Sequence, residues 1–254
     1  MSTGLKTAEV IKTQEALARE DALDNPETAR RLIELALEWG SKLETATAGE
    51  VLEWGAEHLH TPLAVTLSMQ DTVLAELAAR HAPEADLIFL DTGYHFPETL
   101  DVAEQVAQRY DNRLLSIEPK RTRAEQDAEE GVDLYKTDPT RCCALRKVEP
   151  LSAVKRPYEG WVTGLKRVDA PTRAHTPVLE IDKTGRIKLN PLATWTDEDV
   201  AQYIEDNDLI VHPLTQQGFP SIGCATCTAR VAEGADPRSG RWEGSEKTEC
   251  GLHL

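Results

Sequence analysis

The chain has 254 residues and a formal net charge of −16, with 40% hydrophobic and 28% charged residues. That is enough length and apolar content for one large domain with a buried core, and it excludes a stapled mini-protein, a disordered chain and a fibrous one. The acidic excess argues against nucleic acid or an anionic membrane as the main partner, no apolar run reaches membrane-spanning length, and residues 1–25 lack the basic cap and apolar segment of a secretory signal, so the expected compartment is the cytoplasm.

Residues 1–24 are polar with little periodicity and read as a frayed start. Asn25-Pro26 reads as a helix N-cap with Pro at the first helical position, and Leu32, Ile33, Leu35, Ala36 and Trp39 follow at helical spacing until Gly40 closes the helix. Thr47 opens a second helix that stops before Pro62, which makes residues 1–60 a helical N-terminal extension. Strands and helices then alternate: strand 63–67, helix 71–80, strand 87–90, helix 97–110, strand 114–117. That order predicts a doubly wound α/β core over residues 61–235, its mainly parallel sheet covered by helices on both faces. Further on, 123–130 and 144–154 read as helices, 161–163 as a strand, 178–189 as two strands turning at Asp182-Lys183-Thr184-Gly185, and 196–207 as a capped helix. After Pro213 the chain is rich in Gly, Pro and Ser, and residues 236–254 form a C-terminal tail expected to be mobile without substrate.

Ligands of open α/β sheets sit beyond the carboxyl ends of the strands, where strand order reverses. The loops in question read Ser68-Met69-Gln70-Asp71, Asp91-Thr92-Gly93 and Gly164-Leu165-Lys166-Arg167. Polar side chains, Gly for close backbone approach and two cations suit a phosphorylated nucleotide; on pattern alone, ordinary capped turns weigh as much. Basic residues outnumber acidic ones over residues 113–188, a local bias that suits a small anion despite the net charge.

Five cysteines, an odd count without a secretion signal, point to metal binding or thiol chemistry rather than a disulfide framework. Cys142-Cys143 is an adjacent pair, and Cys224-Ala225-Thr226-Cys227 follows far downstream. Four thiolates suit an iron–sulfur cluster or zinc; adjacent cysteines reach one ion with difficulty, whereas a [4Fe-4S] cluster offers each its own iron, so the cluster is favoured and zinc is the runner-up. Cys250 stands apart in Glu249-Cys250-Gly251-Leu252-His253, either an inert terminal thiol or a nucleophile on a flexible arm.

Several motifs then occur together and in order: Asp91-Thr92-Gly93-Tyr94-His95-Phe96-Pro97-Glu98-Thr99, Arg141-Cys142-Cys143 with Arg146-Lys147-Val148-Glu149-Pro150, Pro171-Thr172-Arg173-Ala174, Asn190-Pro191-Leu192, Pro220-Ser221-Ile222-Gly223-Cys224, Gly240-Arg241-Trp242 and Glu249-Cys250-Gly251-Leu252-His253. This set resembles the assimilatory sulfonucleotide reductases, specifically the iron–sulfur adenylyl-sulfate (APS) reductases. The resemblance implies an adenine-nucleotide-hydrolase-like (PP-loop-like) fold, a [4Fe-4S] cluster on Cys142, Cys143, Cys224 and Cys227, and Cys250 as catalytic nucleophile. It implies reduction of APS to sulfite and AMP in sulfate assimilation, through a Cys250 S-sulfonate that thioredoxin or glutaredoxin resolves. Relatives using the 3′-phosphorylated substrate (PAPS) generally lack the four cluster cysteines, which points here to APS.

The substrate-binding residues so expected are Ser68, Asp91, Thr92, Gly93, Lys147, Gly164, Lys166, Arg167, Arg173 and Arg241, with Glu249 and His253 tuning Cys250 or relaying its proton. Ser68 stands where the family loop commonly has Gly, and Lys166 where it has the first of two Arg. The implied partners are APS, the reductant and, at most, further copies of the chain in a homo-oligomer. A PAPS reductase and a cluster-bearing redox sensor are the alternatives; a pyrophosphatase of the same fold would want a Gly-rich loop after the first strand, which Thr66-Leu67-Ser68-Met69 does not provide.

Overall fold

Short apolar runs, the central ones buried on both faces, make seven strands, and amphipathic stretches between them make the helices, in a computed structural model that describes residues 6–242, Lys247, Glu249, Gly251 and Leu252. In chain order the elements are β1 (Glu9–Lys12), α1 (Thr13–Leu17), α2 (Pro26–Leu43), α3 (Ala48–His58), β2 (Ala64–Leu67), α4 (Val73–His81), β3 (Asp86–Leu90), α5 (Pro97–Arg109), β4 (Leu114–Glu118), α6 (Arg123–Glu130), α7 (Leu134–Thr137) and α8 (Pro139–Cys143). After them come α9 (Glu149–Val154), β5 (Gly160–Val162), β6 (Leu179–Ile181), β7 (Ile187–Leu189) and α10 (Asp197–Asp206). No helix among the described residues is long and apolar enough to cross a membrane.

The sheet order is β1-β4-β3-β2-β5-β7-β6, parallel throughout except for the antiparallel β6–β7 edge. Side chains alternate between two apolar layers. Val65, Leu87, Phe89 and Leu114 pack with α3, α4 and α5, while Ala64, Ile88, Leu115 and Ile117 pack with Ala16 of α1 and Leu151 and Val154 of α9. Burial on both sides explains why these strands are continuous apolar runs.

Two expectations from the sequence are corrected. The stretch read as a frayed start supplies β1, which pairs from Glu9↔Leu115 to Lys12↔Glu118, and the Thr13 hydroxyl donates to the Glu118 carbonyl at 2.6 Å. Gly40 does not close α2, which continues to Leu43; nothing lies within 4 Å of the position its Cβ would take, so the glycine sits half-buried in an ordinary helical turn.

From β2 the chain builds outward through β3 and β4, then returns to place β5 on the other side of β2, with Ala64↔Trp161 and Val65↔Val162 in register. Strand order therefore reverses between β2 and β5. The loops leaving their carboxyl ends diverge there and open a crevice.

Candidate active site

The loop after β2 turns at Met69, fully buried with φ +63, a left-handed conformation costly for a side chain of that size. It is held from outside: the Gln70 side chain donates to the Pro220 carbonyl (3.3 Å) and accepts from the Ile222 N–H (3.0 Å), and the Gln70 carbonyl accepts from the His212 N–H (2.9 Å). Asp71 accepts from the Val73 N–H at 3.1 Å as α4 begins, and burial raises its carboxyl above the usual range. On the other side of the crevice the Thr163 hydroxyl donates to Asn190 Oδ1 at 2.7 Å, which fixes the turn into Gly164. Between these loops lies a cleft of about 750 Å³, within the roughly 300–1,000 Å³ usual for small-molecule sites.

Ser68, Thr92, Lys147, Gly164, Lys166, Arg173 and Arg241, all expected from the sequence, line this cleft. Burial alone would weaken the Lys166 ammonium, but its hydrogen bond to Asp197 and the charge of Asp169 raise its pKa overall. Arg241 donates from Nη1 to Ser221 Oγ at 3.3 Å and stands 4.8 Å from the Trp242 ring centroid. Its guanidinium lies against Gly223, where a Cβ would come within 2.1 Å of Nη2, so a larger residue there would displace the guanidinium. Arg173 donates from Nε and Nη2 to the two Glu249 carboxylate oxygens (2.8 and 2.7 Å) and from Nη1 to Asp169 (3.0 Å).

Three expected residues stand elsewhere. Arg167 donates to Glu44 (2.6 Å) and to the Thr176 carbonyl (2.8 Å), tying the segment after α2 to the far side of its own loop. Asp91 accepts from the Gly93 N–H at 2.8 Å, and Gly93, with φ +72, leaves room for Arg146, whose Nη2 would be 3.0 Å from a Cβ. Asp91 and Gly93 therefore shape the loop rather than line the cleft. Cys250 and His253 lie outside the described residues. The structure adds Gln70, Asp71, His95, Arg238 and Trp242 to the cleft wall. Of these, His95 donates to the Leu90 carbonyl (2.8 Å), and burial lowers its pKa. Only its place in the Asp-Thr-Gly motif could have signalled it.

The paired cysteines ride on α8, whose N-cap Asp138 accepts from the Arg141 N–H at 2.8 Å. The helix then widens for one turn over Ala144–Val148, where the Glu149 N–H reaches back to the Ala144 carbonyl. This turn buries Arg146, which donates to the Thr92 carbonyl and to Gln126 Oε1 (3.0 Å). Cys224 and Cys227 bracket a tight turn closed by the Cys227 N–H on the Cys224 carbonyl (2.9 Å). These four cysteines line one small cavity with Tyr94, Arg146, Lys147 and Trp242. The Thr92 hydroxyl lies 3.3 Å from Cys224 Sγ. Burial, and then the nearby Cys143, Cys224 and Cys227, push the Cys142 thiol up to about 12. Among the described residues no three Cys, His, Asp or Glu side chains are grouped as ligands of a single metal ion.

Lys147 lines both this cavity and the cleft, so the two share a wall. A nucleotide-sized crevice rich in cations, with four thiols behind it, can bind a polyanionic nucleotide and hold a thiolate-ligated cofactor.

A family model of the phosphoadenosine phosphosulfate reductase domain matches residues 61–230. An adenosine 5′-phosphosulfate reductase of Mycolicibacterium smegmatis is 49% identical over 228 residues, 89% of this chain and 97% of that one. The Streptomyces coelicolor adenosine 5′-phosphosulfate reductase is 48% identical over 233 residues, 91% and 99% of the two chains. Among solved structures, phosphoadenylyl-sulfate (PAPS) reductase from Candida auris, in a phosphate complex, superposes with a TM-score of 0.66 at 28% identity, covering 78% of this chain and 97% of that one.

Proposed function

Because the chain belongs to the phosphoadenosine phosphosulfate reductase family, we propose that it reduces adenosine 5′-phosphosulfate (APS) to sulfite and AMP in sulfate assimilation. The observation that carries this reading is the wall shared by the nucleotide-sized cleft and the four-cysteine cavity, with Lys147 on both sides of it. Near-half identity to relatives named for APS supports the substrate without a 3′-phosphate.

The donor set fits a [4Fe-4S] cluster. Four cysteines line one cavity, two from α8 and two from the Cys224–Cys227 turn, and a cluster asks for four thiolates, one to each iron. Four thiolates brought to one cavity would repel one another, and a cationic centre would hold them together. When bound, the cluster supplies that centre and a fixed local charge beside Lys147.

The protein's own groups carry the sulfur chemistry. Cys250 thiolate attacks the sulfate sulfur of APS; an S–S bond forms, the S–O bond breaks, and AMP leaves with that electron pair. One thiol of thioredoxin or glutaredoxin then attacks Cys250 Sγ, sulfite leaves with the S–S pair, and the reductant's second thiol frees Cys250 as the carrier becomes a disulfide. The reductant thus supplies both electrons. An anionic nucleophile must approach an anionic sulfonate, so Lys147, Lys166 and Arg241 serve to neutralise sulfate and phosphate oxygens.

The test is intact-mass spectrometry of anaerobically prepared protein mixed with APS or with PAPS and no reductant. A sulfite-sized adduct on Cys250 from APS alone, absent in Cys250→Ser, is the expected result. Adduct from PAPS would reverse the substrate assignment, and adduct from neither would remove the nucleophile.

A further inference from the structure

We propose that Arg123, seated on the Tyr94 ring, is a further positive charge of the four-cysteine cavity and helps to retain the thiolate-ligated cofactor there. This rests on the reading of that cavity as the seat of a [4Fe-4S] cluster. Tyr94 is buried and lines the cavity beside all four cysteines. Its carbonyl accepts from the Ala225 N–H at 2.7 Å, which ties it to the Cys224–Cys227 turn. Its own N–H donates at 3.3 Å to the Thr92 hydroxyl, the group that meets Cys224 Sγ. Main-chain contacts therefore fix the ring relative to the thiols.

Two guanidiniums lie against that ring, Arg123 at 4.5 Å and Arg146 at 5.1 Å from its centroid. Glycine at position 93 admits both, since a Cβ there would stand 3.0 Å from Arg146 Nη2 and 3.6 Å from Arg123 Cγ. Two like charges gathered at one ring repel, and the buried one is not neutralised locally. Arg146 donates to the Thr92 carbonyl, the Arg121 carbonyl (3.4 Å) and Gln126 Oε1 (3.0 Å), and among the described residues no carboxylate pairs with it. A buried cation without a counter-ion is costly, so the compensating charge has to come from the cavity itself. Four thiolates outnumber the positive charges of an iron–sulfur core, which leaves a loaded cavity net negative. Arg123 also breaks a local rule: it is the first residue of α6, where the helix dipole disfavours a cation, and the Thr122–Glu125 cap of that helix does not use its side chain. The ring and the charge behind it account for an arginine there; the helix does not.

The experiment follows loss of iron–sulfur absorbance to a neutral ferrous chelator in the full-length, anaerobically prepared protein, at low and high salt. Wild type is compared with Arg123→Met, which keeps an apolar stem without the charge, Arg123→Lys, which keeps the charge, and Tyr94→Leu, which removes the ring. At low salt Arg123→Met and Tyr94→Leu should lose the cluster about three- to fivefold faster, the size of a partly exposed cation–π contact, and Arg123→Lys should stay close to wild type. The difference between Arg123→Met and wild type should shrink in about 1 M salt, where the screening length falls to roughly 3 Å. Wild-type rates in Arg123→Met overturn the proposal. Equal acceleration in Arg123→Lys, or a difference that high salt leaves unchanged, overturns it too, because Arg123 would then be a cover over the cavity and not a charge. Tyr94→Leu counts only if its denaturation midpoint matches wild type; Arg123→Met, at an exposed position with the α6 cap intact, decides the matter without it. Iron and sulfide analysis of wild type comes first, and their absence is a different result, which removes the cluster reading itself.

Discussion

Two buried ion pairs in this chain have nearly the same length and join different things. Lys155 and Asp182 meet at 2.8 Å, the Trp161 indole N–H donates to the same carboxylate at 2.9 Å, and the ammonium stands 3.9 Å from the indole centroid. Lys155 caps α9 and Asp182 opens the turn between β6 and β7, so this pair closes the sheet frame on itself. Arg173 and Glu249 meet at 2.7 Å, but they join the rim of the cleft to the segment that carries the assigned nucleophile. Distance and burial are alike in the two, and what each pair connects is not.

The largest effect should come from a cation outside both pairs. Arg241→Ala should lower kcat/KM about 10²–10³-fold, as removal of a group that stabilises developing charge does, with little change in the denaturation midpoint. An equal loss of stability would make Arg241 part of the frame. Next, Lys155→Ala leaves a buried carboxylate without its partner and should destabilise the fold by about 3 kcal/mol in denaturant titration, while kcat/KM of the folded fraction stays near wild type. If activity fell and stability held, the contrast between the two pairs would be reversed.

Asp182→Asn should cost about 2 kcal/mol at neutral pH, the range for losing a hydrogen-bond partner of a charged group. Its carboxyl, which burial alone would raise, is held by Lys155, Thr184 and the Arg186 N–H down to about 2, below the ordinary 3.8. A depressed carboxyl contributes stability fully above 3.8 and loses it as pH falls toward 2, so the gap between wild type and Asp182→Asn should close across that interval. A gap that stays constant in acid denaturation series would show that the charge of Asp182 is not what stabilises. The smallest effect belongs to Arg167→Ala. Its partly exposed pair with Glu44 is worth about 1 kcal/mol or less, and half-saturating APS should not move; a tenfold rise would return Arg167 to the substrate.

The central strands and their helices were legible because the apolar runs are buried on both faces and bounded by strong caps such as Thr47 with Glu50 and Thr196 with Asp199. The edge strand β1 was not, since only Ile11 of its four residues is buried and its partners lie more than a hundred residues away. The four cysteines were legible through spacing, and the cavity they line agrees with that spacing. The pairing of Arg167 was not legible, because a cation after a strand at the crevice reads the same whether it faces ligand or Glu44. Glu249 was singled out only for its neighbour, because nothing local distinguishes a glutamate bound for Arg173 from one in water.

The widened turn over Ala144–Val148 sets a rule for how this chain can change. A single wide turn is what one extra residue does to an α-helix. Deleting a residue there would restore 3.6 residues per turn and rotate everything beyond it by about 100° relative to Cys142 and Cys143. Arg146 could not then remain buried behind Thr92 with Lys147 still on the wall of both cavities. The interval from the cysteine pair to Lys147 is therefore a fixed count: side chains within it can be exchanged, but its length cannot drift.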